Sequence, residues 1–178
     1  FFPAASVGWI ATREHFISEA APWLNFLKLR ASWGKNGNIG IGTSNAIGIY
    51  EVQGSYGVRG AYDQTRGFLF SNPTLPELTW EKTNTTEVGV DIGLLNNRLN
   101  ISAAYYNRIT SDKLAYIALP NSAGIASIRT NNGTMRNRGL ELEAGYKIIQ
   151  NDKFNWTVSA NAAYVRNKIL KLPFNGNE

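Results

Sequence analysis

Six stretches of this sequence alternate between apolar and polar residues, and a period of two confines such segments to β-strands with one greasy and one wet face. From Leu140 the even positions read Leu140, Leu142, Ala144, Tyr146 and Ile148, against Glu141, Glu143, Gly145 and Lys147. From Phe154 they read Phe154, Trp156, Val158, Ala160, Ala162 and Tyr164, against Asn155, Thr157, Ser159 and Asn161. The pattern recurs over Leu99–Tyr105, over Leu27–Trp33 and through Trp80–Leu94, where Val88, Val90, Ile92 and Leu94 form the apolar row. Ala5, Val7 and Trp9 give a shorter version. The predicted strands have about 9 to 15 residues, enough to cross a bilayer at a tilt, whereas soluble strands average about 5 to 6.

The connections alternate too. Leu94–Arg98 and Gln150–Lys153 are tight turns, whereas Lys35–Thr79 and Ala115–Asn137 read as long loops rich in Gly, Asn and Ser. A meander with short turns at one end and long loops at the other is the layout of an outer-membrane barrel. Ile10–Phe26 breaks the rule, since it falls at the short-turn end and yet spans 17 residues. A helical turn is predicted there over Ile17–Ala21, before Pro22.

A soluble sandwich alternates in the same way, so the faces must discriminate. The apolar rows carry Trp9, Trp33, Tyr105, Trp156 and Tyr164 near their ends, as the aromatic girdles of a membrane barrel do. Their middles, at Ala103, Ala144, Ala160 and Ala162, hold no charge. That is the restriction lipid imposes, because Lys or Arg at mid-bilayer costs about 2 to 4 kcal/mol. The expected fold is all-β, an antiparallel up-and-down meander forming part of a large transmembrane β-barrel. Six strands cannot close a spanning barrel, for which about eight is the minimum, and an open edge in hydrocarbon leaves backbone groups unpaired. Residues 1–178 are therefore expected to be a partial barrel domain, and the polar tail Phe174–Glu178 does not resemble a closing strand.

Composition removes most chemistry. Cysteine is absent and His15 is the single histidine, which excludes a thiolate zinc site, a cysteine nucleophile and a multi-histidine metal centre. His15 reads as a solvated turn residue. No metal and no cofactor is expected. No apolar run reaches the about 18 residues of a transmembrane helix, and the first residues lack the charged and apolar regions of a signal peptide. Charged residues are 17% of the chain and aromatics 12%, the reverse of a disordered composition. The net charge of +5 is scattered along the chain rather than clustered, so no nucleic-acid partner is expected. Gly37, Gly40 and Gly42 lack the Lys-Ser/Thr and the βαβ setting of a phosphate loop. Four Asn-x-Ser/Thr matches read as chance in a chain with 20 asparagines.

At this point specific strings resemble the barrel of SusC/RagA-type TonB-linked outer-membrane transporters. They are Phe2–Trp9 (Phe-Pro-Ala-Ala-Ser-Val-Gly-Trp), Leu27–Asn38, Leu78–Thr83, Gly89-Val90-Asp91 and Asn97-Arg98-Leu99. Tyr105-Tyr106-Asn107, Ser111–Leu114, Leu119-Pro120, Asn132-Gly133 and Asn137–Glu141 follow in the same order. The resemblance implies a barrel of about 22 strands plugged by a separate domain. It also implies outer-membrane localisation, a SusD-like surface lipoprotein as lid, and import of oligosaccharides or peptides with energy passed through the TonB complex. The plug and the remaining strands have no counterpart in these residues. A TonB-dependent siderophore receptor and a secreted glycan-binding or adhesin module are the alternative readings.

The candidate sites follow from this layout. Glu81, Glu87, Asp91, Glu141 and Glu143 lie on the polar faces and are expected to face the lumen. Neighbours on one strand face cannot flank a glycosidic bond, so no catalytic carboxylate pair and no enzymatic activity is expected. Trp9, Trp33, Tyr105, Trp156 and Tyr164 are expected to meet outer-membrane lipid. In the long loop Tyr50, Tyr56, Tyr62, Phe68 and Phe70 alternate with Arg59, Asp63, Arg66 and glycines. Of these, Tyr50, Tyr56, Arg59, Tyr62, Arg66 and Phe68 are the candidate solute contacts. The rings either stack on solute or pack the loop against itself or the lid.

Overall fold

The computed structural model of the protein describes residues 1–39, 51–62 and 65–172. Eight strands are found among them: β1 (Ala4–Ile10), β2 (Leu24–Asn38), β3 (Ser55–Tyr62), β4 (Thr65–Asn72), β5 (Glu81–Leu94), β6 (Leu99–Ala118), β7 (Ser127–Gln150) and β8 (Asn155–Lys171). Six of them form one sheet in the order β1-β2-β5-β6-β7-β8, an up-and-down antiparallel meander, and β3 and β4 pair as a separate hairpin. Chain contacts group into two units. The first comprises Phe1–Lys35, Asn84–Ile109 and Arg136–Lys168; the second comprises Asn36–Thr83, Thr110–Met135 and Ile169–Glu178.

The short turns form as the sequence indicates. Leu95, Asn96 and Asn97 all take left-handed backbone (φ 55°, 56° and 60°), and the Arg98 N–H closes the turn on the Leu95 carbonyl at 3.2 Å. Asparagine is the non-glycine residue that tolerates this region best, which accounts for the Asn-Asn pair. At the other tight turn Asn151 and Phe154 exchange backbone hydrogen bonds of 3.0 and 3.3 Å. The anomalous segment after β1 is a 3-10 turn (Ala11–Arg13) followed by helix α1 (His15–Ala20), two residues earlier than expected. His15 opens that helix on the surface and pairs with Glu19 at 3.5 Å.

Both long connections are shorter than the composition implied. β2 continues through Gly34 and Gly37 to Asn38, and the Lys35–Thr79 segment contains the β3–β4 hairpin. β6 and β7 extend to 20 and 24 residues, leaving only Leu119–Ala126 between them, with a 3-10 turn at Asn121–Ala123. Thr110, Asp112, Thr130, Asn131 and Asn132 are polar on both strand faces, so no apolar alternation marks these extensions. Backbone pairing and cross-strand polar contacts make them strands. Within β6, Asp112 has φ 54°, and side-chain parity shifts across it. Thr110 meets Thr83 hydroxyl to hydroxyl at 3.1 Å before it, and Lys113 meets Glu81 at 3.6 Å after it. A one-residue bulge produces such a shift.

A conventional core is missing among the described residues, where only Ala11, Ala104 and Leu114 are buried apolar side chains. The chain exposes 13214 Å², against about 8,600 Å² for a folded soluble monomer of 19.7 kDa. Among the described residues no second layer covers the apolar rows, and the sandwich alternative finds no core there.

Candidate functional site: the two faces of the sheet

The β1–β2 register fixes which residues share a face. Ala5 lies opposite Trp33, Val7 opposite Ala31 and Trp9 opposite Leu29, so these six form one apolar patch. The other face pairs Ser6 with Ser32 and Gly8 with Arg30. Alternation extends the apolar face through Val88–Leu94 of β5, Leu99–Tyr105 of β6, Leu140–Ile148 of β7 and Trp156–Tyr164 of β8. Exposure is high along it: Val7 69%, Leu142 45%, Val158 47% and Tyr164 68%. Four of the five expected girdle aromatics are about as exposed, at 43% (Trp9), 38% (Trp33), 43% (Tyr105) and 49% (Trp156). Trp156 and Tyr164 are eight residues apart, about 26 Å along a strand and about 19–22 Å along the barrel axis at a tilt of about 35–45°, somewhat less than the about 25 Å height of a lipid-facing band.

The opposite face is held by charge. Arg30 lies across β5, its Nη1 2.5 Å from the Glu87 carboxylate and its Nε 3.7 Å from that of Asp91. Ser102 on β6 donates to Asp91 at 2.7 Å. Between the two acids sits Gly89, where a Cβ would come within 2.7–2.9 Å of the guanidinium. Glu-x-Gly-x-Asp is thus a cradle for one arginine, with glycine providing the floor. A similar close approach joins β6 to β7, where the Tyr106 ring covers Gly139 at 2.7–2.8 Å from a would-be Cβ, and Arg108 stacks over Tyr106 at 5.9 Å. Glu141 and Glu143 line a shallow cleft with Arg30, Ser102, Ala104, Leu142 and residues 161–163. Gly89→Ala should cost less than about 1 kcal/mol, since the flexible tip of Arg30 can yield, but should weaken the Arg30–Glu87 coupling. A double-mutant cycle is expected to read about 0.5–1 kcal/mol in the parent sequence, falling with salt, and near zero in the alanine background.

In the second unit Glu81 is buried at 8% exposure. It accepts the Leu114 backbone N–H at 3.0 Å and pairs with Lys113 at 3.6 Å, joining β5 to β6 just past the bulge. Nearby, Asn131 receives the Thr79 N–H and donates to the carbonyls of Thr79 and Asp112, all at 2.7 Å. Lys82 pairs with Asp112 at 2.8 Å. These groups border a cleft of about 580 Å³ lined by Thr74–Thr79 and Ile128–Asn132. Arg129, buried, stacks over Tyr116 at 4.9 Å and donates to its hydroxyl. On the hairpin, Tyr56 lies opposite Phe70 and Val58 opposite Phe68, with Tyr56 and Phe68 each 74% exposed. The backbones of Arg59, Tyr62 and Arg66 belong to this hairpin, whereas their side chains, and Tyr50 and Asp63 entirely, lie outside the described residues.

An exposed apolar band on one face and paired charges on the other is the arrangement of a barrel wall. The family model for the TonB dependent receptor-like beta-barrel matches residues 1–178. The chain belongs to that family. TonB-dependent receptor P39 of Formosa agariphila is 36% identical over 171 residues, covering 96% of this chain and 16% of that protein. TonB-dependent receptor SusC of Bacteroides thetaiotaomicron is 32% identical, covering 96% and 17%. Among solved structures, the RagAB peptide importer in its open-open state matches with a TM-score of 0.82 at 31% identity, over 99% of this chain and 18% of that one. The chain is thus a SusC/RagA-like outer-membrane barrel segment spanning less than a fifth of its relatives' length. Sequence reasoning missed Arg30, Asn131 and Arg129. Only Arg30 had a legible signal: one arginine on the wet row of β2 and an acidic pair flanking a glycine on β5.

Proposed function

We propose that this segment forms part of the wall of a TonB-dependent importer of oligosaccharides or peptides, working with a SusD-like surface lipoprotein. The carrying observation is the uncovered apolar band backed by a charged face, in a chain similar to SusC and to the RagAB peptide transporter along nearly its whole length. In this reading the apolar face, with Trp9, Trp33, Tyr105, Trp156 and Tyr164, meets lipid. The Arg30–Glu87–Asp91 network, Glu141 and Glu143 face the lumen, and Glu81 secures the strand extensions. The β3–β4 hairpin, through Tyr56, Arg59, Tyr62, Arg66 and Phe68, together with Tyr50, contacts solute. The segment performs no bond chemistry, since capture and release need only a shaped polar surface.

The full-length receptor carrying this segment is expected to co-purify with a SusD-like lipoprotein and to take up oligosaccharide or peptide only while coupled to TonB. Uptake of an iron chelate alone, with no lipoprotein partner, would select the siderophore alternative. Replacing Tyr56 and Phe68 together with alanine should lower solute affinity at least about tenfold, a loss of about 1.4 kcal/mol or more for two stacking rings, while leaving barrel assembly unchanged.

A further inference from the structure

The connection from β1 to β2 is longer than a chain reversal needs. It takes the 13 residues 11–23, whereas β5 passes to β6 through residues 95–98 and β7 to β8 through residues 151–154. The β1–β2 and β5–β6 connections lie at one end of the sheet, since Asn96 donates its backbone N–H to Asn25 Oδ1 at 2.7 Å. The extra residues are folded back against the strands. Thr12 Oγ1 accepts the Leu27 N–H at 3.3 Å, and Ala11 is buried. The Trp9 indole N–H donates to Glu14 Oε1 at 3.1 Å. Trp9 stands on the apolar row opposite Leu29, away from the Gly8–Arg30 face, so the residue that leads into α1 lies beside the end of that row. All of these residues belong to the first unit.

Helix α1 is short but two-sided. At about 100° per residue, Phe16, Ile17 and Ala20 share one arc, and His15, Ser18 and Glu19 share the opposite one. The polar arc is closed on itself: His15 pairs with Glu19 at 3.5 Å, and Ser18 Oγ donates to the His15 carbonyl at 2.9 Å. On the apolar arc Ile17 is half-buried, yet Phe16 is 63% exposed, and Trp23, where the chain enters β2, is 67% exposed. One exposed ring is ordinary on a protein surface. Here two exposed rings flank a two-sided helix that is hydrogen-bonded to the end of an apolar row, and no described residue covers that row. Such an end is where a membrane barrel carries its interfacial aromatics.

We infer that residues 11–23 are a membrane-surface anchor. Helix α1 lies in the headgroup zone of the periplasmic leaflet, with Phe16 and Trp23 dipping about 5–10 Å towards the acyl chains and His15, Ser18 and Glu19 turned to water. The occupant of this surface is phospholipid, because the Trp9–Glu14 bond makes it continuous with the row that meets lipid. The excess length of the connection is the chain required to lay a helix along the membrane plane. The anchor rests on the lipid-facing reading of that row proposed above and not on the identity of the solute.

The test uses the full-length receptor in phosphatidylcholine nanodiscs, with any cysteine outside this segment replaced by serine and one bimane fluorophore attached at a time. Iodide quenches from the water, and phosphatidylcholine brominated near the headgroup end of its acyl chains quenches from the bilayer. The labels at Phe16→Cys and Trp23→Cys are expected to be quenched by the brominated lipid and to be at least about threefold less sensitive to iodide than the label at Glu19→Cys, on the polar arc. Ala20→Cys keeps both rings and carries the same reading if an aromatic replacement fails to assemble. Labels at Phe16 and Trp23 that meet iodide as freely as the one at Glu19 would overturn the inference. So would labels shielded from both quenchers, because protein and not lipid would then cover the surface. A label at Val7→Cys, on the apolar row of β1, separates the anchor from the reading beneath it. If it meets brominated lipid while the labels at Phe16 and Trp23 do not, the anchor fails and the lipid-facing row stands; if it avoids the lipid, both fail.

Discussion

Ala144→Arg is expected to destabilise the barrel by about 2–4 kcal/mol, read as a lowered guanidinium midpoint for the full-length receptor refolded into lipid. Ala144 is central in the Leu140–Ile148 row of β7, on the face that no other part of the described chain covers. A guanidinium there must either be desolvated in hydrocarbon or drag water and headgroups inwards. Glu143→Arg, at an exposed position one residue away on the opposite face of the same strand, should cost less than about 1 kcal/mol, the ordinary range for solvated positions. In a soluble sandwich the same contrast would be measurable in detergent-free buffer on a folded monomer. The apolar face as a membrane surface predicts no such soluble state.

Glu81→Ala should be the second large effect, costing about 1–3 kcal/mol, because it leaves the buried Leu114 N–H without an acceptor. Lys113 loses its partner at the same stroke. Glu81→Gln keeps an acceptor oxygen and is expected to recover most of the loss, which separates the hydrogen bond from the charge. Faster amide exchange at Leu114 in the alanine variant, with Leu99–Tyr105 unchanged, would locate the damage at the bulged end of β6. An unchanged exchange rate at Leu114 would mean that the carboxylate is not its protecting group.

How much of this was legible from the residues depends on what each segment buries. The lipid-facing parts of β2, β5, β6, β7 and β8 announce themselves, because a one-sided apolar medium writes a period of two into the chain. The Asn-Asn and Gln150–Lys153 turns were legible through their chemistry. The ends of β6 and β7 were not, because Thr, Asn, Asp and Gly occupy both faces there and imitate loop composition. What sustains those strands is non-local: Asn131 bridging to Thr79, Glu81 reaching Leu114, and a bulge at Asp112 that reverses parity. No periodicity records contacts between residues about 30 to 50 positions apart, nor does β-propensity, which reflects packing against neighbours more than backbone preference. The Glu87–Gly89–Asp91 cradle lay between these extremes. Its acids were expected to face the lumen with no partner named, and the glycine between them was the overlooked sign that another side chain crosses the strand.

Site-directed spin labelling tests the central claim most directly; this segment has no cysteine of its own, and any cysteine elsewhere in the receptor is first replaced by serine. Single cysteines at Val90, Ala144 and Val158 would report the apolar face, and single cysteines at Thr85, Glu143 and Thr157 the polar one. With the full-length receptor in lipid vesicles, the first three labels should collide with dissolved oxygen and be shielded from a water-soluble nickel chelate. The second three should show the reverse. Labels at Val90, Ala144 and Val158 that are shielded from both reagents, or that meet the nickel chelate as freely as their neighbours do, would contradict a wall with lipid on one side and water on the other.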